Sequence, residues 1–299
     1  MDSFQIMKQL FRRTKIWNYI FYLILLSHCS RTTSILGQNT ECSIKIFGMA
    51  CVPSGEFIRG SNVYESNEKP EARIYLDSYY IDLYEVTNED FQKCLDSGGC
   101  RQCLKTGKCK KITPNYGTRY SEARQPVVGL SWYSAKEYCE FLGKRLPTEA
   151  EWEKAARGTD GENFPWGNER ATCLHAIIEE DGRKGCVKQK ISPPHHMTTQ
   201  KVGSRPAYRY GLYDMAGNSW EWVADWYSDS YEVCGLECQG KNPKGACANQ
   251  ESCEKFGNRK IVKGGAWWWP SEYARSSRRR PHVPENFPEY HHFGFRCAK

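Results

Sequence analysis

Between Lys263 and Cys297 the chain concentrates side chains suited to gripping a ligand. Trp267, Trp268 and Trp269 are consecutive, Arg278, Arg279 and Arg280 follow, and His282, His291 and His292 complete the segment. Tryptophan and arginine dominate binding hot spots. A guanidinium group also forks onto carboxylate, sulfate or phosphate. Trp268, Trp269, Arg280, His291 and His292 are therefore the candidate ligand contacts. In an extended chain His291 and His292 point to opposite faces, which argues against a shared metal. No cysteine lies between Cys253 and Cys297, and no nucleophile–base pair is evident from spacing.

A second candidate runs from Asp214 to Glu221. Calcium takes six to eight oxygens and mixes carboxylates with backbone carbonyls. Asp214 and Glu221 bracket Gly217 and Ser219 in a way that can wrap such an ion. The competing reading is that Asp214 closes a turn and Glu221 pairs with a basic residue.

The chain has 15 cysteines and a formal charge of +7. A basic stretch to Lys15, an apolar run from Ile16 to Leu26 and then Cys29 read as a lipoprotein-type signal. Cys29 would carry the lipid, leaving an even number of cysteines, as a fully paired exported protein needs. The mild basic charge is no nucleic-acid signature. Cys94, Cys100, Cys103 and Cys109 repeat one heptad pattern. They fit either a four-thiolate zinc site or two small disulfide loops, 94–100 and 103–109, and the exported context favours disulfides. Cys173 and Cys186 bracket another loop, and Cys234, Cys238, Cys247 and Cys253 group in a third. Each set is even and local, which suggests stapled surface loops.

The elements that must position these groups are short. Thr87 and Asp90 mark a helix start. Ser131 caps a helix reaching Leu142. Thr148 with Glu151 forms a capping box for another that Gly158 ends. Val52 to Gly60 reads as turn, strand, turn, and Ile74 to Glu85 as a strand pair or one long strand. Gly, Pro and Asn turns separate the rest, giving an α+β class with much irregular structure.

Seven motifs in order then resemble the formylglycine-generating-enzyme, or sulfatase-modifying-factor, superfamily. They are Tyr84-Glu-Val-Thr-Asn88, Pro126-Val-Val-Gly-Leu-Ser-Trp132, Arg145-Leu-Pro-Thr-Glu-Ala-Glu-Trp152, Phe164-Pro-Trp-Gly167, Gly211-Leu-Tyr-Asp-Met-Ala-Gly-Asn-Ser-Trp-Glu-Trp222, Lys263-Gly-Gly265 and Gly294-Phe-Arg-Cys297. The resemblance implies a single domain related to C-type lectins. It implies structural calcium on Asp214, Gly217, Ser219 and Glu221, the two middle residues acting through their carbonyls, and a disulfide between Cys139 and Cys297. A further family calcium site would fall at His175, without a clear aspartate partner. A second family disulfide is missing at both ends, at Ala156 and near Ser276. Arg275 and Arg279 match arginines common in the family, which implies structural roles.

The family's oxidases bind copper(I) through two cysteines. Here Trp269 stands near the first position and Tyr273 or Ala274 near the second, which argues against copper chemistry. The expected layout is a signal peptide at 1–28, a tether at 29–50 and the domain at 51–299, with cysteine-rich inserts at 94–120, 173–186 and 227–259. The expected protein is a lipid-anchored component of a bacterial cell envelope, periplasmic or on the outer surface. It would bind a peptide, glycan or anionic ligand and no nucleic acid. The alternatives are an oxidoreductase acting without the cysteine pair and a surface display scaffold.

Overall fold

The computed structural model describes residues 44–100, 120–187, 198–248, 250–286 and 291–299. The signal segment, Cys29, Cys103, Cys109 and the His195–His196 pair lie outside them. No helix among the described residues is long and apolar enough to cross a membrane.

Three helices begin where their caps predict. Helix α1 (Asn88–Asp96) follows Thr87, whose side chain accepts the Asp90 N–H. Helix α2 (Trp132–Phe141) follows Ser131, which accepts from Ser134. Helix α3 (Glu149–Arg157) opens with a complete Thr148–Glu151 capping box and ends at Gly158, whose φ is 75°. Caps of this kind satisfy N–H groups that the first helical turn leaves orphaned. A short helix, α4 (Tyr231–Cys234), sits in the third cysteine group.

The strands form three small sheets. Strand β1 (Met49–Val52) pairs antiparallel with β4 (Tyr79–Asp82), and β2 (Gly55–Arg59) pairs antiparallel with β3 (Ala72–Leu76). The third sheet has the order β7 (Arg280–His282), β6 (Lys260–Lys263), β5 (Trp220–Trp226), β8 (Phe293–Gly294). Only the β5–β8 pairing in that sheet is parallel. The stretch from Ile74 to Glu85 therefore holds two strands, and they pair with different partners rather than with each other. A side chain distant in sequence causes the break: Asn242 accepts the Asp77 N–H at 2.8 Å and donates to the Asp77 carboxylate at 2.7 Å.

Trp152, Trp220, Trp222 and Trp267 are fully buried: Trp152 of α3 packs with Val223 and Ile261 in one core, and the other three lie with residues of α1 and α2 in another. The C-terminal residues close the unit. Cys297 O accepts from Asp82 N, Ala298 and Arg145 exchange two backbone bonds, and Lys299 and Tyr80 exchange two more. The Cys139–Cys297 disulfide fastens α2 to this tail. The stapled loops are Cys94–Cys100, Cys173–Cys186, Cys234–Cys238 and Cys247–Cys253, and the first of these removes the zinc alternative for Cys94 and Cys100.

Buried ion pairs anchor the segment after β6. Arg275 meets Glu68 through two bonds of 2.7 and 2.8 Å, and Ser277 donates to the same carboxylate. Arg279 Nε bonds Glu149 at 2.7 Å. Lys263 reaches Glu153 at 3.1 Å, and Arg157 joins Glu153 at 2.9 Å. Arg275 and Arg279 thus serve the fold, as expected from their motif.

Candidate functional site

The tryptophan segment is placed by the two glycines that follow β6. At Gly265, φ is 77°, and a Cβ would stand 2.9 Å from the Tyr273 carbonyl oxygen and from Ala274 Cα. Only glycine allows the backbone to double back this tightly. The return brings Trp269 against Tyr273, with ring centroids 4.8 Å apart. Two residues standing near the family's thiol positions are therefore in contact, as aromatic rings. Ala274 is fully buried. Every cysteine among the described residues is disulfide-bonded, so none of them supplies a thiol to this place.

The neighbouring wall comes from the Cys173–Cys186 loop. Gly185 N donates to Trp267 O at 2.8 Å and Glu179 N donates to Trp269 O at 3.0 Å. These bonds set Lys184 Nζ 2.9 Å from the centroid of the Trp268 ring, a cation–π contact. Trp268 remains 38% exposed, whereas Trp267 is buried. Lys184 was not legible as a site residue, because nothing in its local pattern points toward a tryptophan more than eighty residues away.

Arg280 and the histidines complete the cluster. Arg280 Cζ lies 4.8 Å from the Trp269 ring and 5.6 Å from the Trp220 ring. His292 lies 5.7 Å from Trp267 and 6.2 Å from Trp268, ring to ring. Tyr120 contacts both Trp267 and His291. The structure thus brings Trp268, Trp269, Arg280, His291 and His292 into one neighbourhood. It corrects one expectation: the two imidazoles do not point apart but sit 4.1 Å apart, because residues 291 and 292 lie in a turn rather than in extended chain. Even so, no group of three or more His, Cys, Asp or Glu residues able to hold a metal occurs among the described residues.

The electrostatics are one-sided. Burial, followed by the electrostatic influence of His291, Arg280 and Lys184, lowers the His292 pKa to about 3, so the ring is neutral. Burial also lowers that of Lys184, against the pull of Glu179. The indole N–H groups of Trp220, Trp267 and Trp269, and Nδ1 of His292, are buried without a hydrogen-bond partner. The cluster therefore combines cations, buried unmet donors and the partly exposed face of Trp268.

The Asp214–Glu221 loop forms a separate, buried carboxylate cluster. Glu221 receives Arg296 at both oxygens, each bond 2.7 Å, and Trp152 Nε1 at 2.8 Å. Asp214 accepts the Gly203 N–H at 2.7 Å. Glu85, unnoticed in the sequence although it lies in the first motif, accepts from Ser219 N, Ser219 Oγ and Asn218 Nδ2. Burial first, then the charges of Asp214 and Glu221, push the Glu85 carboxyl well up. Burial lifts Asp214 to about 6. Three carboxylates share this dry region with one fully buried guanidinium, that of Arg296. Glu221 pairs with a basic residue, Arg296, as the competing reading required, and these carboxylates do not form a group of three able to hold a metal among the described residues. His175, the position of the other family calcium site, instead stacks on Trp166 at 4.7 Å.

Comparison with known proteins agrees with this architecture. Residues 37–299 match the family model described as "Sulfatase-modifying factor enzyme 1-like domain". A protein of Chlamydia caviae named serine/threonine-protein kinase pkn1 is 33% identical over 261 residues, covering 84% of this chain and 38% of that protein. The chain thus spans well under half of that relative's length. The formylglycine-generating enzyme of Mus musculus is 28% identical over 303 residues, covering 84% of this chain and 74% of the enzyme. Among solved structures, PvdO from Pseudomonas aeruginosa superposes with a TM-score of 0.64 at 27% identity, covering 84% of this chain and 93% of PvdO. The mixed α+β fold with much irregular structure, related to C-type lectins, is the one expected from the motifs. By fold, motif order and family match, this chain belongs to the sulfatase-modifying factor enzyme 1-like family.

Proposed function

We propose that this family member is an exported, lipid-anchored binding protein of a bacterial cell envelope, tethered through Cys29, rather than a copper–cysteine oxidase. One observation carries the reading: near the family's thiol positions, Trp269 packs on Tyr273 beside Trp268 and Arg280. Tryptophan cannot bind copper(I) or exchange disulfides. An aromatic and cationic cluster is instead suited to a peptide, glycan or anionic ligand. Calcium, in this proposal, is held by Asp214, Glu221 and the carbonyls of Gly217 and Ser219, offsets the excess buried negative charge and stiffens the loop leading into β5. Its role is structural.

The test is binding of the purified chain to peptide and glycan arrays, beside a variant carrying Trp268→Ala and Trp269→Ala. Signals present for the parent and lost in the variant support the reading. An array pattern unchanged by the double substitution refutes it. A second reading, an oxidoreductase working without the cysteine pair, draws on the 28% identity to the mouse formylglycine-generating enzyme. It requires turnover with a bound cofactor, and a metal analysis that finds calcium alone, without a chromophore, counts against it.

A further inference from the structure

Lys260, the first residue of β6, is only 3% exposed although it carries an amine. Lysine is rarely buried so deeply. The β5–β6 ladder shifts register between Trp222 and Trp226, and Ala224 lies in that irregular stretch. Its carbonyl accepts from Lys260 Nζ at 2.7 Å. The amine also lies 3.7 Å from the Trp226 ring centroid and 3.9 Å from that of Trp132.

All the groups this amine touches border one cavity. Ala224, Trp132, Trp226 and Lys260 line a space of about 540 Å³, and Tyr133 adds a third ring. That volume falls within the range of small-molecule sites, about 300–1,000 Å³. Lys136, Lys244 and Glu251 also line it and are exposed, so they mark its mouth, whereas buried Lys260 belongs to its inner wall.

We infer that this cavity takes a carbonyl compound with a flat apolar body, an aromatic aldehyde in the simplest case, which condenses with Lys260 Nζ. The inference is independent of the tryptophan segment and of the binding proposed for it. The neutral amine attacks the carbonyl carbon and a C–N bond forms. The carbonyl oxygen departs as water with the two amine protons, leaving an imine, and no oxidant or reductant is consumed. A lysine is activated for this chemistry by desolvation among apolar groups. Burial lowers the Lys260 pKa to about 7, opposed by Asp225 and helped by Lys136. The indole faces favour the ammonium form, and burial acts against them. An exposed lysine, with a pKa near 10.4, is neutral in only about one molecule in a thousand at pH 7.5. The three aromatic rings favour a ligand that can stack over a short aliphatic one.

The experiment is brief incubation of the full folded chain with benzaldehyde and cyanoborohydride, which reduces an imine to a stable benzylamine. Digestion and mass spectrometry then read the adduct at each lysine. At pH 7.5 Lys260 should be labelled at least about tenfold more than the median exposed lysine. That preference should shrink as the pH rises from 7 to 9, because Lys260 is already neutral and the exposed lysines are not. Propanal, which lacks the ring, should show at least about fivefold less preference for Lys260. If Lys260 serves only the fold, it is shielded: labelled less than exposed lysines in the native chain and like them in urea. That result overturns the inference, as does a preference that stays constant between pH 7 and 9. Propanal matching benzaldehyde overturns the assignment of an aromatic ligand.

Discussion

Arg275 and Arg280 lie five residues apart on one segment, yet the structure gives them opposite jobs, and replacing each in turn separates folding from binding. Arg275 is 4% exposed and faces Glu68, which is 0% exposed. Their two hydrogen bonds, with the Ser277 hydroxyl as a third donor, satisfy the carboxylate, and the guanidinium also lies 3.6 Å from the Tyr64 ring centroid. Arg275→Met keeps most of the side-chain volume but strands Glu68 without its counter-charge. Removing one partner of a buried pair costs about 3–5 kcal/mol. At roughly 2–4 °C per kcal/mol for a domain of this size, the melting temperature should fall by about 6–20 °C. Differential scanning calorimetry with the disulfides intact reads this directly. Adding Glu68→Gln to Arg275→Met should recover part of the loss, since the stranded charge is then gone. Arg280→Gln, at a half-buried position in the cluster, should move the melting temperature by only about 2 °C or less. An Arg275→Met protein as stable as its parent would refute the assignment of this pair to the fold.

Other outcomes follow from the same geometry. Joint Cys139→Ala and Cys297→Ala substitution opens a loop spanning 158 residues; chain entropy puts the loss at about 5 kcal/mol, read as a lower midpoint in urea. Gly265→Ala drives a Cβ to 2.9 Å from backbone atoms at a φ of 77°, so it should destabilise by about 2 kcal/mol or more, measured by thermal melting. If calcium occupies the Asp214–Glu221 loop, chelation should lower the melting temperature, by about 5–10 °C for an ion initially present at a hundred times its dissociation constant. The His292 pKa of about 3 lies below its unfolded value near 6.5, so the unfolded chain binds the extra proton between these limits. That contribution to stability is complete above pH 6.5 and falls with acidification, by about 2 kcal/mol at pH 5. His292→Phe should flatten this part of the stability profile in urea titrations at successive pH values.

The helices were legible because their signals are local. Thr87, Ser131 and the Thr148–Glu151 box each act within one turn, and the structure starts α1, α2 and α3 at those residues. The anchoring roles of Arg275 and Arg279 and the Cys139–Cys297 bridge came through motif resemblance, which encodes tertiary contacts that spacing alone does not. What stayed hidden depends on distant partners. The division of β3 from β4 is made by Asn242 acting on Asp77. Lys184 meets Trp268 only because a disulfide loop folds over it. The approach of His291 to His292 required knowing that the backbone turns there. Glu85 was quoted within a motif, but its hold on Ser219 and Asn218 is a contact across more than 130 residues.

The central claim is that the segment from Lys263 to Cys297 binds and does not perform copper–thiolate oxidation. The direct measurement is mass spectrometry of a cysteine-containing sulfatase-type peptide after incubation with the purified chain, copper(I) and oxygen. The account predicts that the peptide cysteine emerges unchanged with or without copper. Conversion of that cysteine to an aldehyde, dependent on the added copper, would contradict it.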